Sequence, residues 1–150
     1  MELKKNSNVA HVSCSLDIGF FYKWLSFLTP FHKLTKSERW VLASFLNKRF
    51  ELMQVIKDDN VLDSVLNSVD VRREVREAIG LTLPQFNILI SKMKKGGVII
   101  NNKIDKHYIP NIQLGTNQYR LTLIFDINDE PNVKDDICEK RDNGDGEDCI

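Results

Sequence analysis

The chain has little of what catalysis, metal binding or membrane insertion draws on. Its three cysteines, Cys14, Cys138 and Cys149, are spread over 150 residues, and no two stand at CxxC spacing. That argues against a zinc site or a disulfide frame and for reduced thiols, with a Cys138–Cys149 pair conceivable only in an oxidised sample. The histidines, His11, His32 and His107, have no ligand or triad spacing around them and read as ordinary surface or boundary residues. Glycine is sparse, and no glycine-rich loop follows a strand, so a phosphate cradle is not expected. The run DNGDGED, 142–148, fails the calcium-loop pattern, because Gly144 and Gly146 stand where liganding Asp or Asn is required. No catalytic residue, metal ligand or cofactor is expected, and the chain does not read as an enzyme.

Long apolar runs are absent as well. The stretch IGFFYKWLSFLTPF, 18–31, is aromatic, but it has 14 residues and contains Lys23, short of the ~20 that span a bilayer. Lys4 and Lys5 precede NSNVAHVSCSLD, which is too polar for a secretory core. The expectation is a cytoplasmic protein with no membrane partner.

Net charge is zero, from 21 basic and 21 acidic residues, but the charges are segregated. Residues 1–125 hold 18 Lys/Arg against 11 Asp/Glu, and residues 126–150 hold 3 against 10. A basic body can meet polyanions. An acidic end can screen that body or dock on a basic partner.

Three regions follow. Residues 1–33 form an amino-terminal arm whose aromatic segment ends at Thr29-Pro30. Phe20, Phe21 and Trp24 there either cover the domain's own core or dock on a neighbouring subunit. Residues 34–127 carry the helical and strand patterns of a domain. Residues 128–150 form an acidic tail, expected to be flexible.

Within the domain, Thr35 with Glu38 fits a capping box, and Val41, Leu42, Phe45 and Leu46 make an apolar stripe. A weaker helix follows at VLDSVLNS. Asp70 is expected to cap the next helix, with Val71, Val75, Ala78 and Ile79 inward and Gly80 at a left-handed end. Thr82 is the expected N-cap of a helix burying Phe86, Leu89, Ile90 and Met93, and Gly96-Gly97 stop it. VII, 98–100, reads as a short strand. YRLTLIFDI, 119–127, reads as a longer one with Tyr119, Leu121, Leu123, Phe125 and Ile127 on one face. Residues 101–118 then form a long connection.

The run VRREVREAIGLTLPQFNILISKMKKGGVII, 71–100, has the order helix, turn, helix, strand. With its surroundings at 35–127 it resembles a winged helix-turn-helix domain: an α+β fold with a three-helix core and a β-wing. The resemblance implies a non-enzymatic DNA-binding protein, with the second helix in the major groove. It would place Thr82, Gln85, Asn87, Ser91, Lys92 and Lys95 on double-stranded DNA, with Lys103 and Lys106 reaching it from a wing at 101–118. Gln85 and Asn87 are types that pair with adenine, and the lysines suit phosphates. The style also resembles small proteins of tailed bacteriophages, which implies a phage or bacterial regulator in the host cytoplasm, and a homo-oligomer. The reading face has no arginine, and Ile88 stands near its centre. Those two departures support an alternative, a virion component acting as an assembly adaptor that meets protein subunits through Ile88 and the aromatic arm.

Overall fold

The computed structural model describes residues 9–115 and 117–127. The chain divides into two units, Met1–Thr116 and Asn117–Ile150. The acidic tail expected at 128–150, with Cys138, Cys149 and the DNGDGED run, lies outside the described residues.

Among its described residues the first unit contains five α-helices: α1 (Ile18–Phe27), α2 (Lys36–Met53), α3 (Asp59–Leu66), α4 (Val69–Ala78) and α5 (Leu83–Lys95). Two short strands follow, β1 (Ile99–Ile100) and β2 (Lys103–Ile104), paired antiparallel with Ile99 opposite Ile104. The described chain is thus mostly helical with one small sheet, compatible with an α+β class. No helix of the described residues is long and apolar enough to cross a membrane.

Helix α2 sits at the centre, touching α1, α3, α4 and α5. Neighbours on several sides explain why Val41 through Leu46 are buried without a break, Ser44 included, rather than along one stripe. Its start follows the expected capping box: Thr35 Oγ1 accepts from Glu38 N at 3.3 Å, and Glu38 Oε2 accepts from Thr35 N at 3.1 Å. These two bonds satisfy amides that a bare helix end would leave orphaned.

Two helices end in the same way. In α4 the Leu81 N–H bonds Arg76 O at 3.2 Å and the Gly80 N–H bonds Glu77 O at 3.1 Å. In α5 the Val98 N–H bonds Met93 O at 3.0 Å and the Gly97 N–H bonds Lys94 O at 3.3 Å. Both are Schellman caps, which need a left-handed residue just past the helix. Gly80 and Gly97 supply it, with φ of 68° and 75°.

Of the two readings of the aromatic segment, the packing follows the first: it covers the domain's own core. Phe21, Trp24 and Leu25 are buried in the common core, and Trp24 Nε1 donates to Tyr108 O at 2.9 Å. Tyr22 stacks on Trp40 with ring centroids 3.9 Å apart. His32 is buried where α1 gives way to α2. Its Nδ1 accepts from Leu34 N at 3.2 Å, so the proton sits on Nε2, 2.7 Å from Leu25 O.

Three expectations are corrected. The cap of α4 is Ser68, whose side chain accepts from Val71 N; Asp70 lies inside the first turn and pairs with Arg73 instead. The connection after β1 is not long. Asn101 and Asn102 both take positive φ, 52° and 60°, and this pair closes a two-residue hairpin of the kind that fits strand twist. Because β1 finds its partner at once, residues 119–127 are not needed to complete that sheet. They belong to no strand of the described residues.

Candidate nucleic-acid interface

The candidate interface is built on α5. Thr82 caps it, with Oγ1 accepting from Gln85 N at 3.4 Å and Gln85 Oε1 accepting from Thr82 N at 3.0 Å. Pro84 falls in the first turn, where its missing N–H costs nothing. One edge of the helix is anchored: Phe86, Ile90 and Met93 are each at most 5 % exposed. Phe86 packs against Phe45 of α2, and the Arg72 guanidinium lies 5.7 Å from the Phe86 ring centroid.

The opposite face is open. Asn87, Ile88, Ser91, Lys92 and Lys95 are all exposed, Ile88 at 56 %. No hydrogen bond or ion pair joins the side chains of Asn87, Ser91, Lys92, Lys94 or Lys95 to another described residue. The three lysines crowd the last turn of α5, where they complement the negative end of the helix dipole. The sequence-predicted set therefore splits. Asn87, Ser91, Lys92 and Lys95 form a free polar face. Thr82 and Gln85 are exposed but engaged in the cap, which leaves the Gln85 Nε2 amide as its outward donor.

The hairpin residues split too. Lys103 Nζ stands 3.7 Å from Asp63 Oδ2 and 3.5 Å from Asn60 Oδ1, both on α3. The Asn67 side-chain amide donates to Asn102 O. The turn is thus strapped to α3, and Lys103 already has an anionic neighbour. Lys106 is exposed in a 3-10 turn, 106–108, that begins at Asp105. The Asp105 carboxyl accepts from His107 Nδ1 at 2.8 Å and from His107 N at 3.2 Å. These bonds hold it below the usual carboxylate range.

Of the four residues assigned to partner contact, Ile88 alone is openly exposed. Phe20 is half-buried, and Phe21 and Trp24 are internal, 2 % and 8 % exposed. Within this chain the latter two are core residues and form no docking face. Their apolar periodicity would look the same in either role, so sequence could not separate the two.

On α4, Arg73 pairs with Asp70 at 2.7 Å, and Glu74 reaches across to Lys48 of α2 at 2.6 Å. That pair draws the Lys48 pKa upward, chiefly through the hydrogen bond to Glu74. Sequence reasoning had no signal for Lys48, Asn67 or Asp63, because each acts across a gap in the chain that no local pattern spans.

Comparison with known protein families, with curated proteins and with solved structures finds no match for this chain. The functional reading is carried by its own residues.

Proposed function

We propose that this chain is a non-enzymatic DNA-binding protein of winged-helix type, with α5 as the helix that enters the major groove and the β1–β2 hairpin as its wing. One observation carries the reading: α5 is fixed along one edge by Phe86, Ile90 and Met93 while its opposite face presents Asn87, Ser91, Lys92 and Lys95 with no partner among the described residues. A rigid helix with a free polar face suits base reading, since its backbone needs no further ordering on contact. Asn87 matches the donor–acceptor pair of adenine, Ser91 suits either base type, and Lys92 and Lys95 meet phosphates. Lys106 adds a cation next to the wing. Lys103 joins only by giving up Asp63.

The test is binding to a panel of duplexes. Asn87→Ala should relax sequence preference, with a loss of about 1–3 kcal/mol on the best site. An unchanged preference profile would remove Asn87 from the interface.

A second reading is favoured by a specific pair. Leu83 and Ile88 are 55 % and 56 % exposed on the same helix, and such residues suit a protein pocket. Under that reading α5 docks on a protein subunit, and the lysines form a polar rim around the contact.

A further inference from the structure

Residues 119–127, YRLTLIFDI, have the strongest strand pattern in the chain, yet no strand of the described residues includes them. Leu123, Phe125 and Ile127 are 48, 82 and 88 % exposed, and Ile124 is 79 % exposed. The β-prone, apolar and exposed residues 123–127 are a template for pairing with another chain. The segment's charges say which chain. We infer that the segment pairs antiparallel with the same segment of a second copy, in the register that places Leu123 opposite Leu123.

In this register the apolar face is self-consistent. Tyr119 lies opposite Ile127 and Leu121 opposite Phe125, in both halves of the pair. On the other face Thr122 meets Ile124, and Arg120 of each copy meets Asp126 of the other. Side chains alternate strictly between faces, so a slip of one residue sets apolar side chains against polar ones. A slip of two keeps the faces but sets Arg120 against Ile124 in one direction and takes it beyond Asp126 in the other. A parallel, in-register pair stacks Arg120 on Arg120 and Asp126 on Asp126. The antiparallel register about Leu123 is the arrangement that both gathers the apolar side chains on one face and opposes unlike charges, and it is two-fold symmetric, as the commonest dimers are.

The inference stands apart from the DNA-binding proposal, since the pairing needs no nucleic acid. The experiment is sedimentation equilibrium of the full chain at about 0.1 M salt, without DNA. The wild type should dimerise. Arg120→Asp alone and Asp126→Arg alone each create two like-charge pairs per dimer, and each should weaken the dimer by about tenfold or more. The double variant Arg120→Asp/Asp126→Arg restores unlike pairs and should recover wild-type affinity. A monomeric wild type at ~100 μM, a dimer indifferent to both single variants, or a double variant as weak as the singles would each overturn the inference. A second measurement is independent of charge. With Cys14, Cys138 and Cys149 changed to Ser, Leu123→Cys should form an intermolecular disulfide under mild oxidant, because directly opposed Cα atoms lie ~4.5–5.5 Å apart, within disulfide reach. Cross-linking no faster than in the Ile127→Cys equivalent would contradict the register.

Discussion

Lys103, on the second strand of the hairpin, holds its ammonium 3.7 Å from the Asp63 carboxylate of α3. The Asn67 amide bonds the adjacent turn carbonyl, of Asn102. Together they fix the hairpin against α3 and occupy one of the cations assigned to DNA. A pair whose lysine stands open to solvent contributes only ~0–1 kcal/mol to stability, so it is easily exchanged for a phosphate.

Asp63→Asn should therefore leave the melting temperature nearly unchanged and raise duplex affinity several-fold. Its salt slope should steepen by about one unit as Lys103 becomes available. Fluorescence anisotropy at two salt concentrations checks both. Weaker or unchanged binding would mean that Lys103 stays on the α3 side in the complex.

The helical phase of α5 makes a stability prediction. Phe86→Ala should cost about 3–5 kcal/mol and Ile90→Ala about 2–5, the range for truncating a large buried side chain. Ile88→Ala, on the exposed face, should stay within ~0.5 kcal/mol of wild type. Urea unfolding of the three variants decides it. Equal losses at Ile88 and Ile90 would contradict the buried edge described for this helix.

Much of this domain was legible because its signals are local. Thr35 with Glu38, Thr82 before Leu83-Pro84, and the glycines at 80 and 97 each act within one turn of the chain, and each does in the structure what its type implies. What failed depended on partners. YRLTLIFDI alternates as a strand should, but alternation says nothing about whether a neighbouring strand is present. The Asn101-Asn102 turn was hidden because asparagine tolerates positive φ less conspicuously than glycine. The aromatic helix was legible as apolar, with cover for the domain's own core as one of its two readings; what decides between them is packing on α2 and the bond to Tyr108, 84 residues from Trp24. On the candidate face, Asn87 and Lys92 followed from helical geometry, whereas the strap from Asp63 to Lys103 spans two elements.

The shared helix ends give a second stability prediction. Gly97→Ala meets no steric obstacle, since nothing lies within 4 Å of an added Cβ, yet φ there is 75°. The left-handed conformation costs an L-residue about 1–2 kcal/mol. Thermal melts should show a drop of roughly 4–8 °C per kcal/mol for a domain of this size. Gly96→Ala, at φ −79°, should cost less, because that backbone suits any residue. Equal losses at the two positions would argue against the left-handed cap.

Lys48 and Glu74 predict a pH effect. The folded-state lysine titrates above its ordinary value because Glu74 bonds and faces its ammonium. A raised lysine contributes stability that is fully present below the unfolded value and lost as pH rises through the folded one. Both groups are partly solvated, so the contribution is under about 1 kcal/mol. Glu74→Gln should be slightly less stable than wild type at pH 8, and the gap should close in the alkaline range where lysines titrate. Urea midpoints at both pH values test it; a gap that widens with pH would reverse the assignment.

Under the proposed function, the open face of α5 meets a nucleic-acid backbone. The most direct measurement is a salt titration of duplex binding by wild type and by the Lys92→Ala/Lys95→Ala double variant. Each phosphate neutralised on B-DNA contributes a slope of about −0.9 in log affinity against log salt. Wild type should bind measurably at ~50 mM salt with a steep slope, and the double variant should show a slope flatter by about two units. Absence of wild-type binding at that salt, or identical slopes for the two proteins, would contradict the proposed function.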